Sequence, residues 1–292
     1  MAGVKQAGTR AIRSKRLAAL IVPDLVHPFF AELAKGLSAA LARSHSLVIA
    51  STEEEPEAER QQIATLLESE TDALFIASVQ TRLSGVRAVS TNDRPVILVD
   101  RRIPGWPGHY VGMDDRRIGQ LATEHLIAVG CRRVAHIGGA DVSTATDRWQ
   151  GYRQALIQHG LPASRELTVT RAHGDDLGDI SGYRAMRRLL RLRKRPDGVF
   201  CNNDPTAMGA MQAILEAGLD VPGDIAMVGC GDVHYAKFLR VPLTSVAQQP
   251  HVIGTRAGEL ALAALNARRR PPPTTVLLAP TLQVRQSTAG RR

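Results

Sequence analysis

The feature that most constrains this chain is an alternation, kept up almost from end to end, of strand-length apolar runs with longer amphipathic segments. Leu17–Val22 is an aliphatic run closed by Pro23, and Phe30, Leu33, Leu37 and Leu41 follow it on one helical stripe. Leu47–Ala50, Ala73–Ala77, Val96–Val99 and Tyr110–Met113 are further strand candidates. The first of these is followed by a helix with Ile63, Leu66 and Leu67, the last by one with Ile118, Leu121, Leu126 and Val129 that Gly130 stops. A second set begins with strands at Val134–Ile137, Leu167–Thr170, Gly198–Cys201 and Ile225–Val228. Its helices are expected at Arg148–Gln158, at Ser181–Leu192 and around Met208–Leu215. A late helix, Val252–Leu265, and strands Val276–Ala279 and Leu282–Val284 close the chain. Strands alternating with helices build βαβ units on parallel sheets. The expected fold class is therefore α/β, with two similar doubly wound lobes.

Composition narrows the function class. A chain of 292 residues suits two domains. Its 44% hydrophobic and 22% charged residues exclude a disordered chain. No apolar run approaches the roughly 18 to 20 residues of a membrane span. Leu17–Pro23 is too short for a secretory leader, so a cytoplasmic location without membrane contact is expected. Lys and Arg exceed Asp and Glu by 37 to 28, a net charge of +9. That balance fits contact with nucleic acid, and equally a basic solvated surface. Cys131, Cys201 and Cys230 form no paired spacing and read as reduced core residues; no metal and no cofactor is expected. Residues 1–16 hold Lys5, Arg10, Arg13, Lys15 and Arg16 and no acid, which fits either a solvated leader or a segment that touches phosphates.

In doubly wound sheets ligands bind beyond the carboxyl ends of the strands. There lie Phe29 and Phe30, which could stack on a ring or pack in the core, and Asp114, either a hydroxyl acceptor or a helix N-cap. Arg148 opens a helix and could fork onto sugar hydroxyls or a carboxylate, or make a surface ion pair. Asn203 suits polyols, Asp204 reads as a helix cap, and Asp232 lies near the same mouth. No G-x-S-x-G, H-E-x-x-H, Walker A or G-x-G-x-x-G is present, and Gly138–Thr144 lacks a P-loop ending. Binding rather than catalysis is expected, so not an enzyme.

These residues also carry a resemblance. Leu20–Asp24 followed by His27–Phe30 resembles the opening of the ligand-binding core of the LacI/GalR repressor family. So do Val99–Arg101, Ala122–Leu126, His136–Gly139, Arg148–Tyr152, Gly182–Met186, Asn203-Asp204, Val221–Ile225 and Val284–Thr288. The resemblance implies a type I periplasmic-binding-protein-like fold with three crossovers near residues 130, 248 and 275. Its first lobe would comprise residues 17–130 plus 249–274, its second 131–248 plus 275–289, after a leader at 1–16. A small effector, a sugar or sugar derivative, would lie between the lobes, faced by Phe29, Phe30, Asp114, Thr144, Arg148, Asn203 and the loop at 229–232. The family usually has an acid where this chain has Gly231, with Asp232 or His234 as substitutes. With Arg148 retained, that change favours an acidic or phosphorylated sugar. In an open cleft Arg148 would be dispensable for folding.

The family carries a helix-turn-helix and a hinge helix ahead of this core. Here Thr9–Arg16 resembles the end of the hinge, so the reader head is expected to be missing from these residues. Arg10, Ile12, Arg13, Lys15 and Arg16 are the implied DNA contacts, with Ile12 at the minor-groove wedge position. The expected function is an effector-responsive, DNA-binding transcriptional regulator of the repressor type, or its regulatory core, acting as a homodimer on operator DNA. The alternative is a free-standing sugar-binding protein without DNA-binding activity.

Overall fold

Five consecutive buried residues, Ala18–Val22, run through the first strand, which marks a strand covered on both faces. The computed structural model describes residues 16–86, 94–171 and 178–290. Strands β1 (Arg16–Val22), β2 (His45–Ser51), β3 (Thr71–Ile76), β4 (Val96–Val99) and β5 (His109–Met113) belong to one sheet. Strands β6 (Val134–Ile137), β7 (Thr168–Val169), β8 (Gly198–Cys201), β9 (Ala226–Gly231) and β10 (Thr244–Ala247) belong to another. The last two strands divide: β11 (Thr275–Leu278) completes the first sheet beside β5, and β12 (Thr281–Gln283) completes the second beside β10. The orders are β11-β5-β4-β3-β1-β2, all parallel, and β12-β10-β9-β8-β6-β7, parallel except for β12.

The period-2 alternation of the strands sorts the core. From β1, Ala18, Leu20 and Val22 face helices α1 (Pro28–Leu41) and the late C-terminal helix at 250–266, while Ala19 and Ile21 face α2 (Pro56–Glu68). In the second sheet, Val134, Phe200 and Val228 face α3 (Asp115–Ala128) and α4 (Ser143–Gln158). Ala135, Val199 and Met227 face α5 (Gly178–Leu190) and α6 (Asp204–Glu216). The late helix is α7 (Pro250–Asn266). Helices α3 and α4 cross closely. A Cβ on Gly119 would lie 2.0 Å from the Arg148 carbonyl oxygen, and one on Gly151 2.0 Å from that of Arg116.

Three expectations change. Helix α3 packs on β8, β9 and β10, so the first crossover lies at Asp114 and not near 130. Gly130 does end that helix, at φ +96°, but the helix already belongs to the second lobe. The third crossover lies at Ala279-Pro280 and not at 275, because Thr275–Leu278 pairs with β5. Arg16 is the first residue of β1 and reaches toward Asp72 at 3.8 Å, so it is sheet and not leader. Arg10, Ile12, Arg13 and Lys15 lie outside the described residues. The crossovers adjoin one another: Asp114 N donates to Leu278 O at 3.2 Å, and Gln249 Nε2 to Ala279 O at 3.1 Å.

Candidate functional site

The carboxyl ends of both sheets open on one cleft of about 250 Å³ between the lobes. On the first-lobe wall, His27 caps α1, its Nδ1 accepting from Phe29 N at 3.3 Å. Its ring meets Phe30 edge-on at 5.7 Å, and Phe29 and Phe30 are themselves perpendicular at 5.2 Å. Both phenylalanines are buried in the core and line the cleft as well. Burial, helped by Arg101 and Arg148, pushes His27 down to about 4, so it is neutral at physiological pH. Asp100 follows β4 with φ +62°, a left-handed conformation uncommon for a residue with a side chain. Burial raises its carboxyl above the usual range, against the pull of Arg148 and Arg101. Next to it, Arg101 has Nε and Nη1 buried without a partner among the described residues.

On the second-lobe wall, Arg148 is 4% exposed. Its Nε and Nη2 both meet Asp115 Oδ1 at 2.8 Å, and Nη1 donates to Asn202 O at 2.8 Å. Two of its N–H groups are thus fixed by hydrogen bonds and the ion pair holds the guanidinium against Asp115, while Arg148 still lines the cleft. Burial pushes the Asp115 carboxyl up, and the charge and hydrogen bond of Arg148 pull it back down. Thr144 and Asn203 line the same wall, and Asn203 Oδ1 caps α6 by accepting from Thr206 N at 2.9 Å. The neighbouring Asn202 Oδ1 is buried without a partner among the described residues. Gln248 lines the cleft at the second crossover.

The structure thus brings together Phe29, Phe30, Thr144, Arg148 and Asn203. It does not bring Asp114 or Asp232. Asp114 is the exposed N-cap of α3, its Oδ1 accepting from Arg117 N at 3.0 Å, and the acid that meets Arg148 is Asp115. Asp232 pairs with Arg285 at 2.6 Å. His234 lies on a 3-10 turn outside the lining residues. Asp204 is no cap. Its buried carboxylate accepts from Val233 N at 2.9 Å and Ser245 Oγ at 2.6 Å. Arg148 is matched by Asp115, so the case for an acidic sugar loses its support. Sequence reading missed His27, Asp100, Arg101, Asn202 and Gln248; the only signal was the Val99–Arg101 and His27–Phe30 segments of the family resemblance.

A larger cavity of about 590 Å³ lies farther along the seam between the lobes, lined by Arg102, Trp106, Tyr110 and Asp147. Arg102 and Asp147 there already pair with each other, and Asp141 lies on the same rim. The smaller cleft is the better candidate because Arg101 and Asn202, whose buried polar atoms have no partner among the described residues, both line it. Among the described residues no cluster of His, Cys, Asp and Glu could hold a metal ion, and no helix is long and apolar enough to cross a membrane.

Residues 123–288 match the family model for a periplasmic binding protein-like domain. The chain is 33% identical over 270 residues to the HTH-type transcriptional regulator GalR of Escherichia coli (strain K12), covering 92% of this chain and 77% of that one. It is 31% identical over 241 residues to the ribose operon repressor of the same strain, covering 82% and 72%. A solved complex of the transcriptional regulator CelR with cellobiose superposes with a TM-score of 0.84 at 27% identity, covering 94% of this chain and 85% of that chain.

Proposed function

Because this chain belongs to the LacI/GalR family of transcriptional regulators, we propose that its cleft binds a sugar-like effector of monosaccharide size and that closure on it changes operator affinity. The observation that carries this is the convergence of Asp100 and Arg101 from one lobe with Arg148 and Asn202 from the other on one small cleft. A ligand touching both walls gains contacts only when the lobes are closed, so it favours that state by its differential affinity. Coupling to DNA then works in both directions. The cleft's 250 Å³ falls below the roughly 300 to 1,000 Å³ of drug-sized pockets, which fits one sugar ring better than two. The segment with Arg10, Ile12, Arg13 and Lys15 is our candidate for backbone contacts to DNA, and a homodimer matches a two-fold operator. Relatives named as transcriptional regulators favour this over a free-standing sugar-binding protein.

Calorimetry with ribose, galactose, glucose and cellobiose tests the reading. Saturable binding of a monosaccharide, tighter than that of cellobiose and weakened at least tenfold in Asn202→Ala, is expected. Absence of binding by every sugar in the set would overturn it.

A further inference from the structure

One carboxylate ties the two walls of the cleft together. Glu54 lies in the turn after β2, where Glu53 and Glu54 take φ +49° and +58°. Residues with side chains stay in that region only when their surroundings hold them there. Here the turn is fastened to the end of β1, with Thr52 N donating to Val22 O at 3.0 Å and Glu54 N to Pro23 O at 2.9 Å. The Glu54 carboxylate is thereby presented to two guanidinium groups. Oε1 accepts from Arg101 Nη2 of its own lobe at 3.3 Å, and Oε2 accepts from Arg171 Nη2 of the opposite lobe. The three side chains are 17%, 11% and 16% exposed, so solvent screens them little.

We propose that Glu54 is a built-in anion: it fills an acid-binding site formed by Arg101 and Arg171 across the cleft, and so makes the protein select neutral effectors over acidic ones. Convergent guanidinium groups are suited to carboxylate and phosphate oxygens. With Glu54 already seated, an incoming acid meets a like charge where the effective dielectric is low. A neutral ligand meets no such repulsion and accepts from the Nε and Nη1 of Arg101, which are buried without a partner among the described residues. Arg148 does not offset this, because Asp115 holds its charge inside the second lobe. The same carboxylate also latches the lobes, since Arg101 and Arg171 come from opposite sides of the cleft.

The inference rests on reading this cleft as the effector site, and the test keeps the two apart. Calorimetry on the full chain uses inorganic phosphate and glucuronate as acidic probes and glucose, galactose and ribose as neutral ones. Glu54→Ala and the near-isosteric Glu54→Gln are each expected to gain at least tenfold in affinity for phosphate and glucuronate over wild type. Adding Arg171→Ala to either should cancel the gain. No gain in either folded variant, a gain that survives Arg171→Ala, or wild-type binding of glucuronate as tight as the variants' overturns the proposal. If neutral sugars bind wild type while neither variant gains an acid, the effector reading stands and this inference falls. If the variants gain phosphate while no neutral sugar binds, the anion site stands and the effector reading falls.

Discussion

Arg148 and Arg101 face the same cleft from opposite lobes, and they are held in different ways. Arg148 is fixed by Asp115, which belongs to the neighbouring helix of its own lobe, and by the Asn202 carbonyl. The close crossing of α3 and α4 at Gly119 and Gly151 sets that geometry before any ligand arrives. Arg101 shares Glu54 with Arg171 from the other lobe, and Arg102 beside it pairs with Asp147, also across the seam. One wall is therefore pre-organised for binding, and the other depends on closure. Electrostatics inside a lobe serve folding, whereas electrostatics between lobes set the balance of open and closed states.

The largest effect that would test this contrast is on stability. Arg148→Ala leaves the fully buried Asp115 carboxyl without its partner and should cost about 3 to 5 kcal/mol in urea unfolding. The expectation of an Arg that can be removed without harm to folding is thus reversed. Arg148→Met combined with Asp115→Leu should recover much of the loss, and a loss below about 1 kcal/mol in the single variant would break the comparison.

A second effect lies just beneath the same wall. His136 is fully buried, stacked between Tyr152 at 5.2 Å and Phe200 at 4.9 Å, and burial pushes it down to about 4. The unfolded chain protonates His136 near 6.5, so the folded state binds fewer protons in between. Stability should be full above pH 6.5 and fall as pH drops to about 4, by about 3 kcal/mol from this residue. Unfolding of wild type and His136→Gln at pH 7.5, 5.5 and 4.5 checks this. The variant should show the flatter profile, and parallel profiles would refute the assignment.

The smallest expected effect sharpens the other side. Asp147→Ala removes a pair across the seam whose arginine is half exposed, and should change folding stability by no more than about 1 kcal/mol. It should instead widen the population of open molecules, read as a larger radius of gyration in solution scattering without ligand. Equal radii for variant and wild type would argue that this pair contributes nothing to closure.

The strand-and-helix alternation was legible because strands covered on both faces read as unbroken apolar runs, as in Val96–Val99. Strand β10 was not legible for the opposite reason. Thr244 and Ser245 are fully buried polar residues, satisfied by Ser287, by the Arg285 carbonyl and by Asp204, and a linear scan has no sight of such partners. The lobe boundaries failed similarly, since a helix carries no mark of which sheet it will cover. In the site, Asn203 was found just beyond a strand end; Arg148 was placed at the opening of a helix, but α4 begins at Ser143, so Arg148 lies in its second turn. The choice between Asp114 and Asp115 needed the helix phase: one residue further along, a carboxylate turns from solvent to Arg148. Glu53, Glu54 and Glu55 form a polar run ahead of the helix that carries Ile63, and only the left-handed turn shows that Glu54 points across the cleft.

The three crossovers carry a mechanical consequence. A single tether would let the lobes swivel freely, and two would define an axis yet allow slack. Three adjacent tethers, cross-tied by the Asp114–Leu278 and Gln249–Ala279 hydrogen bonds, leave essentially one degree of freedom, a rotation about a line through them. Displacement under rotation grows with distance from that line. A small change of angle at the cleft is thus delivered as the greatest travel at the outer ends of the lobes, and any surface there that holds a second subunit or DNA senses the effector as a change of spacing.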